Sequence, residues 1–238
     1  MDDLDPLTPR LSPSAKRPLL GKTVLVVEDS RYASEAMRLM CLRSGARIRR
    51  ADCLRSARRH LQVYRPSVVI VDLGLPDGSG LDLIDELNRS SPRVGAILGI
   101  SGEDHMRTRA IAARADGFLA KPVDTVGEFQ QVILAALPRD QAVQGPCAIN
   151  TETVSPDPLA YRDDMSHIAG LLDEPQSGAM LDYVAQFLGS VARLADDRAL
   201  ELAAQELTTA RAEGATSQAK LARVAAMVHE RMQESLAL

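Results

Sequence analysis

Between Lys22 and Leu137 the chain alternates short β-branched runs with stretches of helical periodicity, and this alternation restricts the fold more than any other feature. Strands are expected near Thr23–Val27, Arg47–Ala51, Ser67–Asp72, Ala96–Ile100 and Gly117–Ala120. Helices are expected near Arg31–Ser44, Leu54–Tyr64, Gly80–Ser90, Asp104–Ala115 and Thr125–Leu137, with Gly45, Pro66 and Gly117 marking ends. Such alternation predicts an α/β domain built on a five-stranded parallel, doubly wound sheet, covered on both faces by right-handed crossovers.

The flanks read differently. The first twenty residues carry four prolines and little periodicity, which reads as a disordered tail over 1–20, with the α/β domain over 21–138. A polar stretch from Pro138 to Pro158, bearing Pro, Gly and Thr, reads as a linker over 139–157. Beyond it only helical periodicity remains, roughly Leu159–Asp173, Ser177–Ala195, Asp197–Glu213 and Thr216–Ala237. Helices of that length with short connections predict an all-α antiparallel bundle over 158–238.

Composition excludes several classes. A hydrophobic content of 45% over 238 residues supports real cores. The net charge of -4, with Lys and Arg scattered, offers no basic patch, so nucleic acid is a disfavoured partner. Cys41, Cys53 and Cys147 form no metal or CxxC pattern and fit reduced thiols. No run approaches the ~18 apolar residues of a membrane span. These features lead to the expectation of a soluble, cytoplasmic protein without a membrane partner.

The stretch VVIVDLGLPDGSG, Val68 to Gly80, then carries the chemistry. An apolar strand that stops on Asp72 puts a carboxylate at the rim of a core, where it needs a cation or donors beside it. The alternative is an aspartate that caps a helix or a turn. Other strand ends decide between them. Strand one runs into Glu28-Asp29, strand four ends at Ser101, and strand five leads to Lys121-Pro122. If strands one and three are neighbours, three acids share one crevice and need a cation. Hard oxygen ligands suit Mg²⁺, which keeps several waters. The Ser101 hydroxyl and Lys121 ammonium suit phosphoryl oxygens.

These residues, over roughly Lys22 to Leu137, resemble the receiver domain of two-component response regulators. The resemblance implies a flavodoxin-like sheet in the order 2-1-3-4-5. It makes Asp72 the phosphoacceptor, attacking a phosphohistidine or a small phosphodonor in line. It implies Mg²⁺ held by Asp29, Asp72 and the backbone carbonyl of Gly74, with Glu28 acting through water and Lys121 on the phosphoryl group before a cis bond to Pro122. Ser101 and Phe118 match the switch pair, with Phe118 as plain core filler the competing reading. Gly74 and Glu103 depart from commoner choices and bear on phosphoryl lifetime. The implied partners are a cognate histidine kinase or a histidine phosphotransfer protein, an output protein, and a second copy in a homodimer.

The helical segment is similar, more distantly, to histidine-containing phosphotransfer (HPt) bundles. Met180, Val184, Phe187, Leu188, Val191, Leu194 and Ala195 make an apolar stripe, with Asp182, Gln186, Gly189, Ser190 and Arg193 on the other face. Gln186 stands where such a bundle has its histidine, which implies a degenerate phosphotransfer domain; any alanine-rich four-helix bundle could carry the same pattern. His167 shares a helical face with Asp163 and Asp164 and is expected to be exposed, as a phosphotransfer group oriented by a nearby acid or as a plain surface histidine. Three functions follow for the bundle: a protein-interaction output without enzyme activity, a phosphorelay transferase through His167, or a phosphatase in which Gln186 positions water. A DNA-binding output is disfavoured because no helix carries a base-reading pattern.

Overall fold

In the computed structural model, which describes residues 13–138, 150–173, 177–214 and 217–234, the five apolar runs become β1 (Thr23–Val27), β2 (Arg47–Ala51), β3 (Val68–Asp72), β4 (Ala96–Ser101) and β5 (Gly117–Ala120). All pair in parallel, in the order β2-β1-β3-β4-β5. The reason lies in the side chains. β3 and β4 are buried throughout and β1 nearly so, as central strands covered on both faces must be. β2 exposes Arg47, Arg49 and Arg50, charges that suit an edge.

Successive residues of each strand serve opposite faces. Val24, Val26, Ile70 and Leu98 pack against α1 (Arg31–Arg43) and α5 (Val126–Ala136) through Met37, Met40, Phe129 and Ile133. Leu25, Val27, Val69 and Ile97 pack against α2 (Leu54–Val63), α3 (Gly80–Arg89) and α4 (Met106–Ala112). The helix expected over Asp104–Ala115 is shorter at both ends. Turn bonds from Met106 and Arg107 back to Glu103 and Asp104 precede it, and Arg114 ends it with a φ of 64°.

The boundaries also need correction. The described part of the expected tail, residues 13–20, packs on the sheet domain. Leu19 is fully buried among Met40, Cys41 and Ala46, and its N–H donates to Ser44 O at 3.0 Å. The apolar end of the core needs that side chain; residues 1–12 lie outside the described ones. In the expected linker, residues 139–149 lie outside the described ones as well, whereas Asn150 and Glu152 accept from the N–H groups of Gly127 and Val126 at 2.8 and 2.9 Å. Free first-turn donors of α5 draw that backbone in.

The remaining helices are α6 (Pro158–Asp173), α7 (Gly178–Leu194), α8 (Arg198–Ala212) and α9 (Gln218–Glu234). Their facing stripes close one core around Met165, Ile168, Val184, Leu188, Leu200 and Val228. Asp197 knots the bundle: it caps α8 through Leu200 N–H at 3.1 Å and accepts from Tyr161 Oη at 2.9 Å and Arg231 Nε at 2.8 Å. Burial works against its charge, yet Arg231 and the other donors hold its carboxyl below the usual range. The bundle sits on the sheet domain, with α6 and α7 against α1 and the rings of Tyr32 and Tyr161 edge to face at 5.6 Å.

Candidate functional site

Because the strands run parallel, their carboxyl ends meet on one edge, and the sequence places a polar residue at four of them. Asp72 closes β3, Glu28 and Asp29 follow β1, Ser101 closes β4, and Lys121 follows β5. The Lys121 ammonium donates to Asp72 Oδ2 at 2.7 Å and pairs with Glu28 Oε2 at 2.6 Å. Asp72 Oδ1 accepts from Gly74 N–H at 3.0 Å, and Ser101 Oγ accepts from Glu103 N–H at 3.2 Å. The Lys121-Pro122 peptide is cis. Gly80 allows the turn: a Cβ there would lie 2.0 Å from the carbonyl oxygen of Asp72.

Three acids face one lysine, and the electrostatics reflect it. One carboxylate oxygen from each of Glu28, Asp29 and Asp72 lies within 4.8 Å of the others. Burial, then the Asp72 charge, pushes the Asp29 carboxyl up to about 6 against the pull of Tyr183 and Lys121. Burial also raises Glu28 well above the carboxylate range, although Lys121 opposes it. For Lys121, burial favours the neutral amine, but Asp72 and Glu28 outweigh it and hold the ammonium charged. A hard dication would offset this repulsion, and the all-oxygen donor set fits Mg²⁺.

Part of the polar face of α7 lies over these acids, while Asp182 stays exposed and pairs with Arg211 of α8. Tyr183 Oη donates to Asp29 Oδ2 at 2.6 Å. The Gln186 carboxamide fills the hollow above Gly74, so that a Cβ on Gly74 would lie 2.6 Å from Gln186 Nε2. Arg193 Nη1 reaches Gly102 O at 3.2 Å. From α6, the buried carboxylate of Asp164 accepts from Ser30 Oγ at 2.7 Å, Arg31 N–H at 2.7 Å and Tyr32 N–H at 3.1 Å. It thereby satisfies the first turn of α1, the helix that begins just after Asp29. Burial raises its carboxyl pKa, and these donors oppose the rise.

Of the residues picked out from sequence, Glu28, Asp29, Asp72, Gly74, Ser101 and Lys121 converge, and Gln186 joins them from the bundle. Phe118 is a buried neighbour of Gly99, with the Arg107 guanidinium 5.0 Å over its ring. His167 is exposed, as expected, and is not among the residues that enclose Asp72. The acids expected to orient its imidazole are engaged elsewhere: Asp164 with the α1 backbone, Asp163 with Arg31 at 2.8 Å. Sequence reading missed Tyr183 and the role of Asp164. Tyr183 lies one helical turn before Gln186, and that spacing was the available signal.

Residues 24–133 match the response regulator receiver domain family. The KDP operon transcriptional regulatory protein KdpE of Escherichia coli is 32% identical over 143 residues, which are 60% of this chain and 59% of that protein. The transcriptional regulatory protein KdpE of Mycobacterium tuberculosis (strain H37Rv) is 29% identical over 171 residues, 71% of this chain and 74% of that one. Among solved structures, the response regulator TrrA from Thermotoga maritima in complex with Mg²⁺-BeF is 22% identical, with a TM-score of 0.44 over 49% of this chain and 99% of that one.

Proposed function

We propose that this chain, which carries a two-component receiver domain over residues 24–133, accepts a phosphoryl group on Asp72 and signals through its helical bundle to a protein partner. The observation that carries the reading is the Lys121 ammonium 2.7 Å from Asp72 Oδ2, beside two further strand-end acids. One oxygen of Asp72 attacks phosphorus in line. The new P–O bond forms as the bond to the donor breaks, and the leaving group departs with the electron pair. With a phosphohistidine donor, that leaving group is an imidazole.

Lys121 then balances charge on a transferred oxygen, and the Ser101 hydroxyl, at the next strand end, offers a donor to another. Asp29, Asp72 and the Gly74 carbonyl are the residues that would hold Mg²⁺, with Glu28 one shell further out. When bound, the ion supplies positive charge to the phosphoryl oxygens. A cognate histidine kinase or histidine phosphotransfer protein is the donor this chemistry calls for. The family relatives named as transcriptional regulators leave the output open, and no helix of the described residues is long and apolar enough to cross a membrane.

Intact mass of wild type and Asp72→Asn, incubated with acetyl phosphate with and without Mg²⁺, tests the reading. A single Mg²⁺-dependent, base-labile phosphoryl adduct is expected on wild type and none on the variant. An adduct that persists on Asp72→Asn would place the acceptor elsewhere, and an acid-labile one would point to a histidine.

A further inference from the structure

The acid pocket of the receiver is the natural landing site of Mg²⁺ and the phosphodonor, and the chain's own α7 already occupies it. Tyr183 holds the Asp29 oxygen that the ion would need. Gln186 fills the hollow above Gly74. The space left among Asp72, Lys121, Gln186 and Ser190 is about 10 Å³, no more than about one water requires. Mg²⁺ keeps several waters, and a phosphoryl group adds three oxygens, so neither fits beneath α7 as it lies. A broad cleft of about 1150 Å³ beside α1 and α6 reaches Glu28, Asp29 and Tyr183 but stops short of Asp72. Glu28 and Asp29 border both the open cleft and the closed pocket, and Tyr183 holds Asp29 from the cleft side.

We propose that α7 is an internal competitor for the phosphoacceptor site: Tyr183 and Gln186 keep it shut, and loading of the site and release of the bundle are two sides of one equilibrium. The inference rests on the reading of Asp72 as phosphoacceptor. The docked surface is suited to reversal. Most of what α7 presents around the strand ends is polar: Gln186 and Ser190 with Phe187 beside Asp72, Tyr183 on Asp29 and Arg193 on Gly102, with Leu194 adding an apolar contact near Lys121. The polar groups can be hydrated after separation, whereas most of the bundle's apolar core lies between its own helices, with Phe187 and Tyr32 of α1 at its edge. By linkage, docking weakens Mg²⁺ by the factor by which Mg²⁺ weakens docking, so loosening the docked helix tightens Mg²⁺, and Mg²⁺ with a phosphoryl group exposes the α7 face. The face that covers the acids of this receiver is then the one offered to a partner.

Mg²⁺ affinity by titration calorimetry, the rate of Asp72 labelling by acetyl phosphate, and the radius of gyration by small-angle scattering test this on the full chain. Variants Tyr183→Phe, Gln186→Ala and Asp164→Ala should each bind Mg²⁺ at least about fivefold tighter and label faster. Wild type should expand on labelling. Asp164→Ala separates docking from the loss of a group bound to Asp29, because Asp164 bonds the Ser30 hydroxyl and the α1 backbone and does not line the Asp72 pocket. Equal Mg²⁺ affinity and labelling in wild type and all three variants would overturn the competition while leaving Asp72 as acceptor. Absence of both Mg²⁺ binding and labelling in every protein would remove the phosphoacceptor reading and the competition together.

Discussion

Asp29 concentrates the conflict of this site in one side chain. It is buried beside a second acid, its carboxyl is pushed up from 3.8 to about 6, and one of its oxygens is held by Tyr183. The folded protein therefore keeps a proton on Asp29 to higher pH than the unfolded chain does. The stabilisation this gives is complete below about pH 3.8 and is lost as pH rises through about 6. Glu28, raised by burial, acts in the same direction. Metal-free melting temperature should thus fall between pH 4 and pH 6.5, with Mg²⁺ recovering part of the loss near neutrality. Asp29→Asn should flatten the pH slope, raise the metal-free midpoint at pH 7 by about 2–4 °C, and abolish Mg²⁺ binding. Melting curves in a pH series with and without Mg²⁺ check all three.

Between elements, the meeting of α7 with the turn after β3 depends on a missing side chain. Gly74 leaves the hollow that Gln186 fills, and a methyl group there would come within 2.6 Å of Gln186 Nε2. Gly74→Ala should loosen the docked helix, Gln186→Ala alone should loosen it mildly, and the double variant should recover part of what Gly74→Ala loses. The expected coupling is about 1 kcal/mol, within the usual range for residues in contact. A double-mutant cycle on denaturant midpoints measures it; strictly additive effects would mean that the two side chains do not share the space. The same reasoning explains Gly80, where the chain turns from Asp72 into α3 with no room for a Cβ.

At the scale of the molecule, three cores carry the chain, two on the faces of the sheet and one in the bundle, which meets the sheet domain across a largely polar seam. Cutting into one core should separate their unfolding. Leu188, fully buried in the bundle, touches none of the acids, and Leu188→Ala should cost about 2–5 kcal/mol. Calorimetry should then resolve an early bundle transition from a later transition of the sheet domain, and a single shifted transition would show that the seam couples the halves tightly. The sheet and the strand-end acids were legible in the sequence because each follows from a local pattern, strand-length runs, helical spacing between them and polar residues where the runs stop, whereas the strand order came only through the family resemblance. The start of α5 moved by one residue because Thr125 serves as its cap, whereas α1 begins at Arg31 behind the Ser30 cap, as expected. Leu19, in a proline-bearing stretch without periodicity, was not legible, because only the gap in the folded core shows what it fills. On α7, the sequence by itself determined an apolar stripe and an opposite polar face carrying Gln186. What covers that polar face was decided by the tertiary structure alone, since Tyr183 reaches Asp29 across 154 positions and Asp164 reaches Ser30 across 134. Contacts between hydrophilic side chains so far apart leave no periodic trace, and they form only when two separately folded surfaces meet.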